Sequence, residues 1–97
     1  MTPSHLEMQI LAALEPGPLH GHSLVQAAQR HSPATLLSEG FYYEAIYSSE
    51  LRGWVHSSRR RQGGCRPRLY RLTAKGLRRL RLARRAASRT RAAGRLL

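Results

Sequence analysis

The side chains able to do chemistry in this chain are few, and their spacing is wrong for catalysis. Five histidines are scattered at His5, His20, His22, His31 and His56, and His20-Gly21-His22 is their one close pair. A zinc site needs three or four converging N, S or O donors. With no Asp and one cysteine, nothing completes such a cluster around that pair, so His20 and His22 read as residues of a helix start. Cys65 reads as a small turn residue, not a redox centre. No glycine-rich loop leads into a helix to cradle a phosphate. A nucleophile, a base and an orienting group cannot be assembled from this set. The sequence therefore argues against an enzyme and calls for no cofactor or metal. What it does supply is arginine: the segment SRRRQGGCRPRLYRLT, residues 58–73, holds six arginines and no acid.

The charge is divided along the chain. Net charge is +12, and 16 of the 17 basic residues are arginine. All five acids (Glu7, Glu15, Glu39, Glu44, Glu50) precede residue 51, and Arg30 is the one basic residue that does. Residues 1–51 thus carry 1 − 5 = −4 and residues 52–97 carry +16. Such asymmetry points to a polyanion partner. Guanidinium forks suit phosphate oxygens better than lysine does. No apolar run approaches a membrane span, and MTPSHLEMQ lacks the basic and apolar regions of a secretory signal. A single cysteine excludes an internal disulfide and fits a reducing compartment, so the expected location is cytoplasmic.

These arginines need a scaffold. Ser4 with Glu7 three residues on forms a capping box for a helix over 5–14, with Leu6, Ile10, Ala13 and Leu14 inward and Met8 and Leu11 widening the face. Pro16-Gly17-Pro18 stops it, and Leu19-His20 is extended chain or a very short strand. A second helix runs over about 21–31, with Leu24, Ala27 and Ala28 inward, until Ser32-Pro33. A third follows over 40–52, with Ser38 at or near its N-cap. It offers two stripes, Tyr42–Ile46 and Tyr43–Tyr47–Leu51. One of them must face the core, and Tyr42 and Ile46 are assigned there. Gly53 closes the helix as a left-handed glycine. Residues 54–57 and 67–72 read as strands around a turn at 59–66, and Thr73 caps a last helix over about 74–93. Three helices, a two-stranded wing and a C-terminal helix give a mainly α fold with a minor β part, the layout of a winged helix-turn-helix domain.

Three segments of the sequence resemble the PadR-like family of transcriptional regulators. Gly17-Pro18-Leu19-His20-Gly21-His22-Ser23-Leu24 is similar to the family's G-P-L-H-G-Y-E-L. Leu37 to Ile46, followed by Arg52-Gly53-Trp54-Val55, is similar to S-x-G-T-L-Y-x-x-L and R-G-L/W-V. Gly64 to Gly76 is similar to G-R-P-R-K-Y-Y-R-L-T-x-x-G. The likeness covers about residues 6–80. The chain departs from it at His22, where the family has Tyr, at Phe41, where it has Thr, and at Ser49, where a core Leu is usual and Leu51 is expected to compensate.

The resemblance implies a homodimeric repressor of double-stranded DNA that acts on inverted-repeat operators, and in some members releases DNA when a small aromatic effector binds. It places the third helix in the major groove and the wing on the backbone or minor groove. The expected recognition residues are Ser38, Gly40, Phe41, Tyr43, Glu44 and Tyr47. Glu44 would accept from cytosine N4 and Phe41 would touch a thymine methyl, while Tyr43 could equally pack within the fold. Glu50 must turn aside, because an acid facing phosphate repels. The expected wing contacts are Arg59, Arg60, Arg61, Arg66 and Arg68. Dimerisation is expected along Leu77, Leu80, Ala83 and Ala87. Residues 4–76 would form the DNA-binding domain, and 77–97 an arginine-rich helix or tail that dimerises, contacts DNA or is disordered. Two other readings stand beside this one: a sequence-tolerant architectural DNA- or RNA-binding protein, and a protein-interaction adaptor.

Overall fold

The computed structural model describes residues 4–31, 37–58 and 68–95, with side chains through Arg89. The elements run α1 (His5–Leu14), β1 (Leu19–His20), α2 (Gly21–Arg30), α3 (Glu39–Leu51), β2 (Val55–Ser58), β3 (Leu69–Leu72) and α4 (Ala74–Arg95). The expected turn at 59–66 and the Ser32-Pro33 stop lie outside the described residues.

The local signals act as their chemistry requires. The Ser4 backbone N–H donates to Glu7 Oε1 at 2.9 Å, and the Glu7 N–H donates to Ser4 Oγ at 3.1 Å, which is the expected capping box. Gly53 has φ +76°, a conformation that costs glycine nothing and other residues about 1–2 kcal/mol. This reversal turns the chain from α3 into β2. Thr73 joins that corner to the last helix: its hydroxyl donates to the Gly53 carbonyl at 2.7 Å and accepts from the Gly76 N–H at 3.0 Å, and its backbone N–H donates to the Trp54 carbonyl at 3.0 Å.

The sheet has three strands in the order β1-β3-β2, one more than a two-stranded wing requires. β1 takes the free edge of β3, antiparallel, pairing Leu19 with Tyr70 and His20 with Leu69. β2 pairs with β3 from Val55–Leu72 to Ser58–Leu69. This puts the alternating residues Tyr70 and Leu72 against the core.

The core lies between the three N-terminal helices, the sheet and the first turns of α4. Ile10, Leu11, Leu14, Leu24, Val25, Tyr42, Ile46, Val55 and Leu80 are each at most 2% exposed. Full burial of an aliphatic side chain of this kind stabilises the fold by about 1.5–3 kcal/mol. Tyr42 and Ile46 face inward, as their stripe predicts, and Val25 joins Leu24 and Ala28 on the inner face of α2. Two expectations fail. Leu51 is 70% exposed and does not compensate for the family's missing leucine, so the buried position is held by Ser49 at 0%. Leu80 is a core residue of its own domain at 0% exposed, which takes it off any surface a partner could reach.

Candidate nucleic-acid interface

The outward face of α3 follows from the inward one. Tyr42, Ala45, Ile46 and Ser49 are buried, so Gly40, Tyr43, Glu44, Tyr47 and Leu51, at i, i+3, i+4, i+7 and i+11, stand on the opposite side. Phe41 is 52% exposed, Tyr43 40% and Tyr47 64%. All six expected recognition residues, Ser38, Gly40, Phe41, Tyr43, Glu44 and Tyr47, are exposed. These aromatics therefore stand in solvent on a helix whose other side is packed into the core.

Several neighbours hold this face. Ser38 occupies the N-cap position with extended backbone, but its hydroxyl makes no capping bond, and its carbonyl accepts from the Phe41 N–H at 3.2 Å. Nothing crowds Gly40: a Cβ there would meet just the Ser38 hydroxyl, at 3.9 Å. Tyr43 both packs and is exposed. A Cβ built on Gly21 would lie 3.4 Å from Tyr43 Cε1 and 3.5 Å from Tyr70 Cε2, so the start of α2 packs against both rings.

The acids are disposed unevenly. Glu50 turns aside as required and accepts a hydrogen bond from the Ser57 hydroxyl on β2. Glu39 approaches His22 Nδ1 at 3.9 Å, both side chains being well exposed. Glu44 makes no ion pair with the described residues and points outward with the aromatics.

Of the wing residues, Arg59, Arg60, Arg61 and Arg66 lie outside the described residues. Arg68 is exposed at the foot of β3. On α4, Arg78, Arg81, Arg84, Arg85 and Arg89 are exposed, and Arg84 donates to Glu15 at 2.7 Å. The expected dimer stripe is not one surface: Leu77 and Ala83 are half-buried, Ala87 is exposed, and Leu80 is internal. Leu82, which the sequence did not single out, is 54% exposed. α4 runs unbroken across residues 76 and 77, so the arginine-rich segment begins inside a helix anchored to the core.

A second group of residues was missed in the sequence because it forms through contacts between distant positions. Glu7, on α1, is 3% exposed. Its Oε2 accepts from the Ser48 hydroxyl at 2.9 Å and lies 3.4 Å from Arg52 Nε. Burial pushes the Glu7 carboxyl up, but the hydrogen bonds from the Ser4 backbone and the Ser48 hydroxyl, with the Arg52 charge, outweigh it and hold the group below its ordinary value. Arg52 in turn lies over the Trp54 ring at 4.9 Å, and Arg79 of α4 lies 5.8 Å from the same ring. Among the described residues no group of three His, Cys, Asp or Glu could hold a metal, and no described helix is long and apolar enough to cross a membrane.

Helix-turn-helix, sheet and capping helix in this order define a winged-helix domain with an exposed third helix. The model of the PadR-like family of transcriptional regulators matches residues 10–82, and the chain belongs to that family. No curated protein matches the sequence. Among solved structures it is similar to a transcriptional regulator from Clostridium thermocellum (18% identity, 96% of this chain and 89% of that one, TM-score 0.79). It is also similar to a PadR family regulator from Clostridium difficile (22% identity, 93% and 94%, TM-score 0.76). A third is Bacillus subtilis PadR in complex with operator DNA (20% identity, 80% and 46%, TM-score 0.68).

Proposed function

We propose that the chain is a non-enzymatic transcriptional regulator that binds a specific double-stranded operator, with α3 in the major groove, and represses by occupying it. The observation that carries this reading is the α3 face itself: aromatics at 40–64% exposure on a helix whose other side is fully packed. Membership of a family of transcriptional regulators supports it, as does the likeness to a relative solved on operator DNA. Phosphate contacts from the arginine-rich half would set the register, and base contacts from Phe41, Glu44 and Tyr47 would select the sequence. We read the active species as a homodimer on two half-sites about one helical turn apart or a multiple of it. With Leu80 internal, α4 would dimerise through Leu82, Ala83 and Ala87. An aromatic effector belongs to the same proposal.

A second reading, a sequence-tolerant architectural nucleic-acid binder, is favoured by two facts. The described part of α3 carries no basic residue, and no acid occurs after residue 50. Binding to the DNA upstream of the protein's own gene, against a scrambled duplex across a salt series, separates the two. A preference of about a thousandfold or more supports the operator reading. Equal binding with a steep salt dependence supports the architectural one.

A further inference from the structure

A cup of about 520 Å³ lies where the end of α3 meets the start of α4, lined by Arg52, Trp54, Lys75, Arg78, Arg79 and Leu82. Four of these six residues are cationic and none is acidic. Among the described residues the one acid paired with any of them is Glu7, at Arg52 Nε, outside the lining. Two guanidinium nitrogens, Arg52 Nη1 and Arg79 Nε, are buried without a hydrogen-bond partner among the described residues. A buried, unpaired charged donor is costly, and here two of them sit at one concavity. The ring of Trp54 is 5% exposed and already lies against both guanidiniums, so it forms the floor and is not a stacking platform.

We propose that this cup binds a phosphoryl group. The donor set is what a phosphate dianion or a polyphosphate requires: guanidinium forks that can each donate to two oxygens, beside a lysine that acts as a point charge. A single carboxylate would neutralise one of the four cations and leave the rest facing one another. Glu7 serves as a positioning residue. It holds Arg52 by Nε at 3.4 Å and so fixes that side chain at the edge of the cup. The phosphoryl group comes either from a small phosphorylated molecule or from a nucleic-acid backbone. The site is separate from the outward face of α3, so the inference stands whether or not that face reads an operator.

Trp54 is the single tryptophan of the chain and lies at the floor of the cup, so its fluorescence reports on this site. The full chain is titrated with inorganic tripolyphosphate, with sodium chloride of matched ionic strength as the reference. A saturable change with tripolyphosphate, absent with chloride, is expected. Loss of one charge-assisted contact in Arg79→Gln or Lys75→Gln should weaken it about tenfold or more. Arg89→Gln, an exposed arginine outside the cup, should leave it unchanged. Lys75 is exposed, so its variant carries the test if Arg79→Gln fails to fold. No saturable change, or equal weakening by Arg89→Gln, overturns the proposal. If a short duplex displaces tripolyphosphate from Trp54, the ligand is a nucleic-acid backbone. If both bind together, it is a free phosphorylated molecule.

Discussion

Replacing Glu7 tests whether this small domain depends on a buried carboxylate. Three interactions meet at that side chain. Glu7→Ala removes one half of the capping box, the bond from the Ser4 N–H, worth about 0.5–1.5 kcal/mol, while the Glu7 N–H still donates to Ser4 Oγ. The hydrogen bond from Ser48 to a buried, ionised acceptor contributes about 1.5–3 kcal/mol. The pair with Arg52, whose side chain is 32% exposed, adds less than about 1 kcal/mol after solvent screening. The three share one group and do not add fully, so Glu7→Ala should cost about 2–4 kcal/mol. Glu7→Gln, which keeps the shape and an acceptor oxygen, should cost less. Urea unfolding at fixed protein concentration measures both, the fixed concentration being needed because self-association would shift the midpoint. The folded-state carboxyl sits below its ordinary value of 4.5, so its contribution is present above pH 4.5 and is lost as pH falls through the folded value. Wild-type stability should therefore fall below about pH 4.5 more steeply than that of Glu7→Gln. A cost under about 0.5 kcal/mol for Glu7→Ala, within the range of an ordinary surface change, would refute the reasoning. So would identical acid profiles for the wild type and Glu7→Gln.

Gly76→Ala places a methyl group 2.1 Å from the Trp54 carbonyl oxygen and 2.8 Å from Leu72 Cδ1, with backbone as the obstacle, so α4 must shift. Thermal unfolding should show a loss of about 3 kcal/mol or more, the upper range of overpacking. Ser49→Ala removes a fully buried hydroxyl without a partner among the described residues. It should stabilise the protein by about 1 kcal/mol in the same urea assay. Tyr47→Ala, at a position 64% exposed, should change stability by less than about 0.5 kcal/mol. On the operator reading it should still weaken binding to the upstream fragment about tenfold, and gel-shift titration checks this.

The signals carried by neighbouring residues were read correctly because their physics is short-range. The Ser4–Glu7 box, the left-handed Gly53 and the Thr73 cap each depend on groups within three or four positions, and each forms as expected. The same holds for the inward stripe of Tyr42 and Ile46, since helical spacing allows just two candidate faces. Where the spacing argument lacked a partner, it erred. Leu51 lies five residues after Ile46 and falls on the outer face, so its apolar character could not move it inward to the place of Ser49.

The sequence by itself determined the order of the four helices and the two wing strands, the family, and the separation of an acidic first half from an arginine-rich second half, but left open whether Leu19-His20 is a strand. Capping, glycine and charge all act locally or by simple count. The tertiary structure alone decided that Leu80 lies in the core, because α1 packs against α4. It alone brought Glu7 to Ser48, 41 positions away, and set Arg52 and Arg79 on either side of a chain reversal against one tryptophan ring. Such contacts depend on how helices settle against one another, and no periodicity along the chain records that.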